Sequence, residues 1–340
     1  MKRFRFIGGR IGKTGLAVFL TSFICMSLGW PPVFAVITAI VTIEPTVSDS
    51  IRKGIIRFPA SAIGSAYAVL FIYLFKDSPI TYTAAAVLTI ITCFKLKLRD
   101  GLLVATLTSV AMVEVIHSHF FISFLIRLGT TSIGLVVSTL VNFLVLPPNY
   151  TNKIHSNIKE LVSETASAIE CVVEELILKK NDLDARKRSS FAKVREKLHK
   201  TELLSKFQQE ESKYHPLDKG GKDLFEAELK QLSTLRLIHY HLGNLMNTPL
   251  PGGRWSETEL NTIRNAVKAL TEELKQPTNF QIREHRNQIK QVMKQFWKAS
   301  EQGGSDSLEE DTYFSSEIII LYELLSIFSL TESLLKEWEV

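Results

Sequence analysis

The first 150 residues of this 340-residue chain are short of acidic side chains. They hold 5 Asp/Glu against 13 Lys/Arg, whereas the remainder holds 30 against 27. Charge of either sign is almost missing from several long apolar runs in that first part, which excludes an ordinary water-soluble domain there. Cysteine is scarce as well. Cys25, Cys93 and Cys171 form no close pair and no metal-ligand spacing, so neither a disulfide framework nor a thiolate metal centre is indicated. No stretch of period-two alternation is long enough to suggest a sheet, and no internal repeat is visible. The chain lacks GxxxxGK[ST], a strand-borne GxGxxG, HExxH and GxSxG. Those absences argue against an enzyme and against transport driven by a nucleotide site of its own. The high pI of 8.9 belongs to the apolar part and does not signal nucleic-acid binding.

What is present divides the chain in two: a six-span transmembrane domain over residues 1–148, then a cytoplasmic helical domain over 149–340. The apolar runs read as spans at about 11–29, 33–43, 55–75, 80–94, 102–116 and 120–146. The second run is only 11 residues, about 16 Å of helix, and cannot cross a ~30 Å core alone. Pro147-Pro148 stops the last. No small-x-small cleavage site follows the first run, so it reads as a span and not as a signal peptide. Lys2, Arg3, Arg5, Arg10 and Lys13 precede or open span one. Arg52, Lys53 and Arg57 lie at the second loop, and Lys95, Lys97 and Arg99 at the fourth, whereas the alternate loops hold only Lys76. The positive-inside rule then puts both termini on the cytoplasmic side of the cell membrane. Near that edge, Arg57 reads as a side chain that snorkels to the interface.

Residues 149–340 show helical periodicity at about 151–180, 184–213, 221–247, 257–275, 278–300 and 308–337. The stripes Ile158, Leu161, Ile169, Val172 and Leu232, Leu235, Ile238, Leu242 mark core faces, and Ser256 with Glu259 has capping-box spacing. The fold class is therefore all-α, membrane helices followed by an antiparallel helical bundle. Ile318–Leu330 is apolar but carries Glu323 and is too short for a seventh span; it reads as a buried bundle helix. His239 and His241, two apart on a helix, point in different directions and make no ligand pair.

Arg127 is the one charged residue in span six. A charge at a helix centre costs ~2.5–3.5 kcal/mol on insertion scales and usually faces protein or water. Ser123, Arg127, Thr131, Gly134, Ser138 and Asn142 recur at steps of three or four and share a face. Such a stripe is either the wall of a solvated path, with Arg127, Thr131, Ser138 and Asn142 as the substrate contacts, or a packing seam. Arg57, Ser61, Gly64 and Ala68 line one face of span three, where the small Gly64 and Ala68 suit close helix packing. Glu114 and His117, at i and i+3, are a candidate proton-coupling pair, or simply an interfacial pair touching water. Their ligands are too few for a metal, and no cofactor is expected.

The stretch Lys13-Thr14-Gly15-Leu16-Ala17, then Trp30-Pro31-Pro32-Val33-Phe34-Ala35-Val36-Ile37-Thr38-Ala39, Glu44-Pro45-Thr46-Val47, Ser50-Ile51-Arg52-Lys53-Gly54 and Arg57 resembles the opening of the aromatic acid exporter family. That family is related to the fusaric-acid-resistance membrane proteins and, more distantly, to plant aluminium-activated malate channels. This chain departs from the family text at Pro59-Ala60-Ser61-Ala62-Ile63-Gly64, where a Gly-Thr pair is usual. The resemblance implies a six-span domain with a cytoplasmic helical one, export of small organic and plausibly aromatic carboxylates, and a homo-oligomer, with a dimer favoured. The partners expected are thus an organic anion, the lipid bilayer and a second copy. A passive anion channel gated by the cytoplasmic domain and a non-transporting scaffold are the alternatives.

Overall fold

The computed structural model describes residues 9–115, 120–145, 147–178, 185–248, 255–303 and 315–338. His117, His119 and Ser118 lie outside the described residues, as does the break expected at Asn181-Asp182. The described residues are all helical or irregular, with no strand among them. Twelve α-helices run in order: α1 Gly9–Ser27, α2 Val33–Thr42, α3 Val47–Phe75, α4 Pro79–Lys95, α5 Leu102–Val115, α6 Phe120–Leu144, α7 Thr151–Leu178, α8 Ala185–Glu211, α9 Lys219–Asn247, α10 Glu257–Lys275, α11 Ile282–Gly303 and α12 Ser316–Lys336. They form two compact units. The first comprises Met1–Asn149 together with Phe207–Pro216, and the second Tyr150–Lys206 with Leu217–Val340. The inclusion of 207–216 in the first unit is not announced by the sequence.

In the first unit, α1 ends where Gly29 takes φ +68°, a left-handed geometry that glycine adopts freely. The Trp30 N–H then reaches back to the Cys25 carbonyl and closes the helix end. Pro31 and Pro32 separate α1 from the ten-residue α2. α3 begins eight residues earlier than the apolar run suggests, at Val47 and not Ile55. The Thr46 hydroxyl caps it by accepting from the Asp49 N–H at 3.0 Å. Its first two turns are charged, so hydropathy misses them while the backbone ladder continues. The helix also runs through Pro59.

Helices α2, α3, α5 and α6 pack tightly because small residues face backbone. A Cβ on Gly64 would lie 2.4 Å from the Ala105 carbonyl oxygen, and one on Gly134 would lie 2.5 Å from that of Ala35. Away from these seams the surface is apolar. Phe19, Phe23, Met26, Ile55, Tyr73 and Phe121 are 62–72% exposed, a belt that suits lipid and not water. Among the described residues, α3, α6 and α12 are long and apolar enough to cross a membrane, while α2 and α4 are shorter apolar helices.

The second unit has its own core, drawn from Ile154, Ile158, Leu161 and Ile169 on α7, Leu235, Ile238, Leu242 and Leu245 on α9, Ile263 and Leu270 on α10, and Leu324, Ile327 and Phe328 on α12. α12 is thus a core helix of this unit. Its Glu323 is matched by His241 at 2.5 Å and by Asn244 at 3.0 Å. His239 turns the other way, to the Thr165 hydroxyl at 2.9 Å. The capping box at Ser256 and Glu259 is formed. α11 starts at Ile282, later than its periodicity suggests, because Pro277–Asn279 makes a separate 3₁₀ turn.

Candidate functional site

Arg127 is placed by the middle of α6 and is 3% exposed. Its Nη2 donates to the hydroxyls of Thr108 and, at 3.3 Å, Ser61. Its guanidinium carbon stands 4.3 Å from the centre of the Phe34 ring, a cation–π arrangement. The Nε and Nη1 donors are buried and have no hydrogen-bond partner among the described residues. No carboxylate among the described residues pairs with this cation. Beside it lies a cavity of about 70 Å³ lined by Pro31, Phe34, Met112, Ser123, Ile126 and Thr130. That is less than half of the ~150 Å³ that admits benzene in an engineered protein cavity. The space accepts a small polar group but no aromatic ring until the helices part.

The rest of the α6 stripe is engaged locally. The Thr131 hydroxyl donates to the Arg127 carbonyl at 2.9 Å and lies 3.4 Å from Ser61 Oγ. Ser138 donates to the Gly134 carbonyl at 2.6 Å. Asn142 serves a second polar cluster at the corner between α2 and α3. Its Nδ2 donates to Ser50 Oγ at 2.9 Å and to the carbonyls of Glu44 and Thr46 at 3.2 and 3.3 Å. Its Oδ1 accepts from the buried Lys13 ammonium at 2.9 Å. Four cations gather there. Arg10 donates to the Ile43 carbonyl at 2.9 Å, and Lys53 and Arg57 hold the two oxygens of Glu44 at 3.0 and 2.7 Å. Arg57 therefore does not snorkel. It is 7% exposed and braces the corner, donating also to the carbonyls of Val41 and Asp100. Glu114 is exposed and accepts from the Tyr82 hydroxyl at 3.2 Å, away from Arg127.

Sequence reasoning ranked Arg127 and Asn142 as site residues and passed over Lys13 and Glu44. Both of these stand in the stretch that carries the family resemblance. Lys13, four residues into α1, was counted only as topology charge, although a lysine one turn inside an apolar helix itself hints at a buried partner.

The apolar helices and lipid-suited exterior of the first unit are features of a helical membrane protein, and it encloses a cation that no carboxylate among the described residues pairs with. Residues 5–145 match the family described as "Aromatic acid exporter family member 1". The chain is 46% identical over 338 residues to a UPF0421 protein of Oceanobacillus iheyensis, covering 98% of this chain and 96% of that one. A UPF0421 protein of Bacillus cereus strain ATCC 10987 is 43% identical over 339 residues, covering 98% and 94%. One from Staphylococcus haemolyticus is 43% identical over 250 residues, covering 72% and 74%. The chain belongs to the UPF0421 family and carries an aromatic acid exporter family domain.

Proposed function

We propose that this protein exports small organic carboxylates, aromatic acids among them, with Arg127 as the group that binds the carboxylate. The observation that carries the reading is a buried guanidinium with two unpartnered donor nitrogens, Nε and Nη1, whose side chain lines a small cavity. A buried polar group without a partner costs free energy, and a charged one more. Such a cost is retained where a ligand repays it. Either free nitrogen forms a planar fork with Nη2 once Thr108 and Ser61 release it, and such a fork fits the two oxygens of a carboxylate; the Phe34 ring beside it offers an apolar wall for an aromatic body. Thr131, Ser138 and Asn142 would follow the substrate along α6 once the seam opens. Glu114 and His117 are our candidates for proton coupling. Because the cavity is too small for an aromatic ring, we favour a cycle of opening and closing over a standing pore.

The distribution of basic residues supports a six-span unit with both termini in the cytoplasm. The small faces of α3 and α6 are already used inside the chain. Self-association is therefore assigned to the apolar groove between these helices, lined by Ile51, Ile55, Phe58, Leu135, Val136 and Leu140. The test of transport is accumulation of a panel of labelled aromatic and aliphatic acids in cells with and without the protein. Lower accumulation of some carboxylates is expected with it. Equal accumulation of every acid would overturn the reading.

A further inference from the structure

Glu211 is the last residue of α8 and is fully buried. Its Oε2 accepts from the Val47 N–H at 3.0 Å, at the first turn of α3, and its Oε1 lies 2.7 Å from His215 Nδ1. The adjoining Glu210 accepts from the Thr46 hydroxyl at 3.2 Å. Tyr214 and His215, just past the helix end, lean on Phe143 of α6 with ring centres 6.5 and 5.0 Å away. These contacts fall within the first unit, and they seat one short acidic tip, Phe207–Pro216, on the α2–α3 corner.

Apart from the Val47 N–H and the Thr46 hydroxyl proton, the corner satisfies its own hydrogen bonding. Thr46 already caps α3, Asn142 and Ser50 satisfy the turn, and Arg57 and Lys53 neutralise Glu44. What the tip supplies is a carboxylate for two groups that otherwise lack one. The first is the Val47 N–H at the positive end of α3. The second is the Thr46 hydroxyl, which donates to Glu210 at 3.2 Å. The buried Lys13 ammonium joins the same corner through the side chain and carbonyl of Asn142. Lys13 meets α6 at Asn142, fifteen residues from Arg127, or about 22 Å along the helix. The cup thus stands at the far end of the same polar stripe.

We propose that Phe207–Pro216 is a resident plug: the carboxylates of Glu211 and Glu210 fill a cup formed by the Val47 N–H and the Thr46 hydroxyl, at the corner that Lys13 joins through Asn142, and an organic carboxylate must displace them to reach the α6 stripe. The proposal rests on the transport reading for its substrate, but the plug itself is tested without flux. The background is a protein whose three cysteines are serine and whose Thr46 is cysteine. A maleimide should label Thr46→Cys slowly with Glu211 in place and roughly tenfold faster with Glu211→Gln, the factor expected for loss of one charge-assisted hydrogen bond. Benzoate should slow the fast reaction by filling the vacated cup. Glu211→Gln should also raise benzoate flux in proteoliposomes. Cross-linking the Thr46→Cys/Glu210→Cys pair should abolish flux, with recovery on reduction. His215→Ala, which leaves the carboxylate but loosens its support, should label at an intermediate rate and stands in if Glu211→Gln fails to fold. Equal labelling rates in all variants, or no protection by benzoate, would overturn the plug even if flux is normal. Faster, benzoate-protected labelling in a protein that moves no carboxylate would support the plug and overturn the transport reading instead.

Discussion

At the scale of single residues, burial decides chemistry in both units. Arg127 has hydroxyls and a ring for company and no counter-charge, so replacing it strands no buried carboxylate. Loss of transport in its variants would therefore report on binding and not on a broken ion pair. His239 shows the same physics in the second unit. Enclosed beside Thr165 and Phe191, its imidazole is pushed down by burial to about 4 from an ordinary 6.5. The unfolded chain takes up this proton as pH drops through about 6.5, whereas the fold resists until about 4. Stability from this site is complete above pH 6.5 and declines as pH falls toward 4. Glu259 is held near 2 by Lys298 and by the Ser256 N–H and hydroxyl, and Glu332 near 2 by Arg286 and Lys336. Their contribution is lost lower, from about 4.5 downward. His239→Gln keeps a partner for Thr165 but cannot titrate in this range. Hydrogen exchange along α9 between pH 7 and 4.5 should show the wild type opening more readily as pH falls, with a flatter response in the variant. Parallel responses would contradict this account of His239.

At the scale of helices, the periodicity of α6 was legible because a polar stripe on an apolar helix stands out in any window. Its neighbours were not legible, since nothing local says that Gly134 meets Ala35 or that Asn142 meets Lys13, 129 residues away. The start of α3 was misjudged for a related reason: hydropathy tracks lipid, while helix hydrogen bonds continue into charged turns. The plug at Glu210 and Glu211 had no signal beyond two acids before a Ser-Lys-Tyr-His-Pro break. The close seams give a direct check. Gly134→Ala puts a methyl 2.5 Å from the Ala35 carbonyl oxygen and should destabilise the first unit by about 1–3 kcal/mol. Gly54→Ala meets only Leu135 Cδ2 at 3.7 Å and should be neutral or stabilising by up to about 1 kcal/mol, the helix propensity gained. Thermal unfolding in detergent separates the two. Equal melting temperatures would mean that α2 and α6 do not approach this closely.

At the scale of the whole molecule, two physical regimes share one chain. The first unit buries Lys13, Arg57 and Arg127, leaves most of its loop charges exposed and turns apolar side chains outward. The second buries an apolar core and keeps most of its many ion pairs at the surface. Composition separates an apolar, acid-poor first part from a more charged second part. It could not reveal that a tip of the later sequence belongs with the first unit, since Phe207–Pro216 is polar like its surroundings. The account converges on Arg127, so benzoate flux through proteoliposomes carrying Arg127→Lys is the most direct test. Lysine keeps the charge but offers a compact ammonium in place of the planar fork. Flux should fall at least about tenfold, as expected when bidentate carboxylate binding is lost, with the protein's amount and melting temperature unchanged. Flux at the wild-type rate would contradict it.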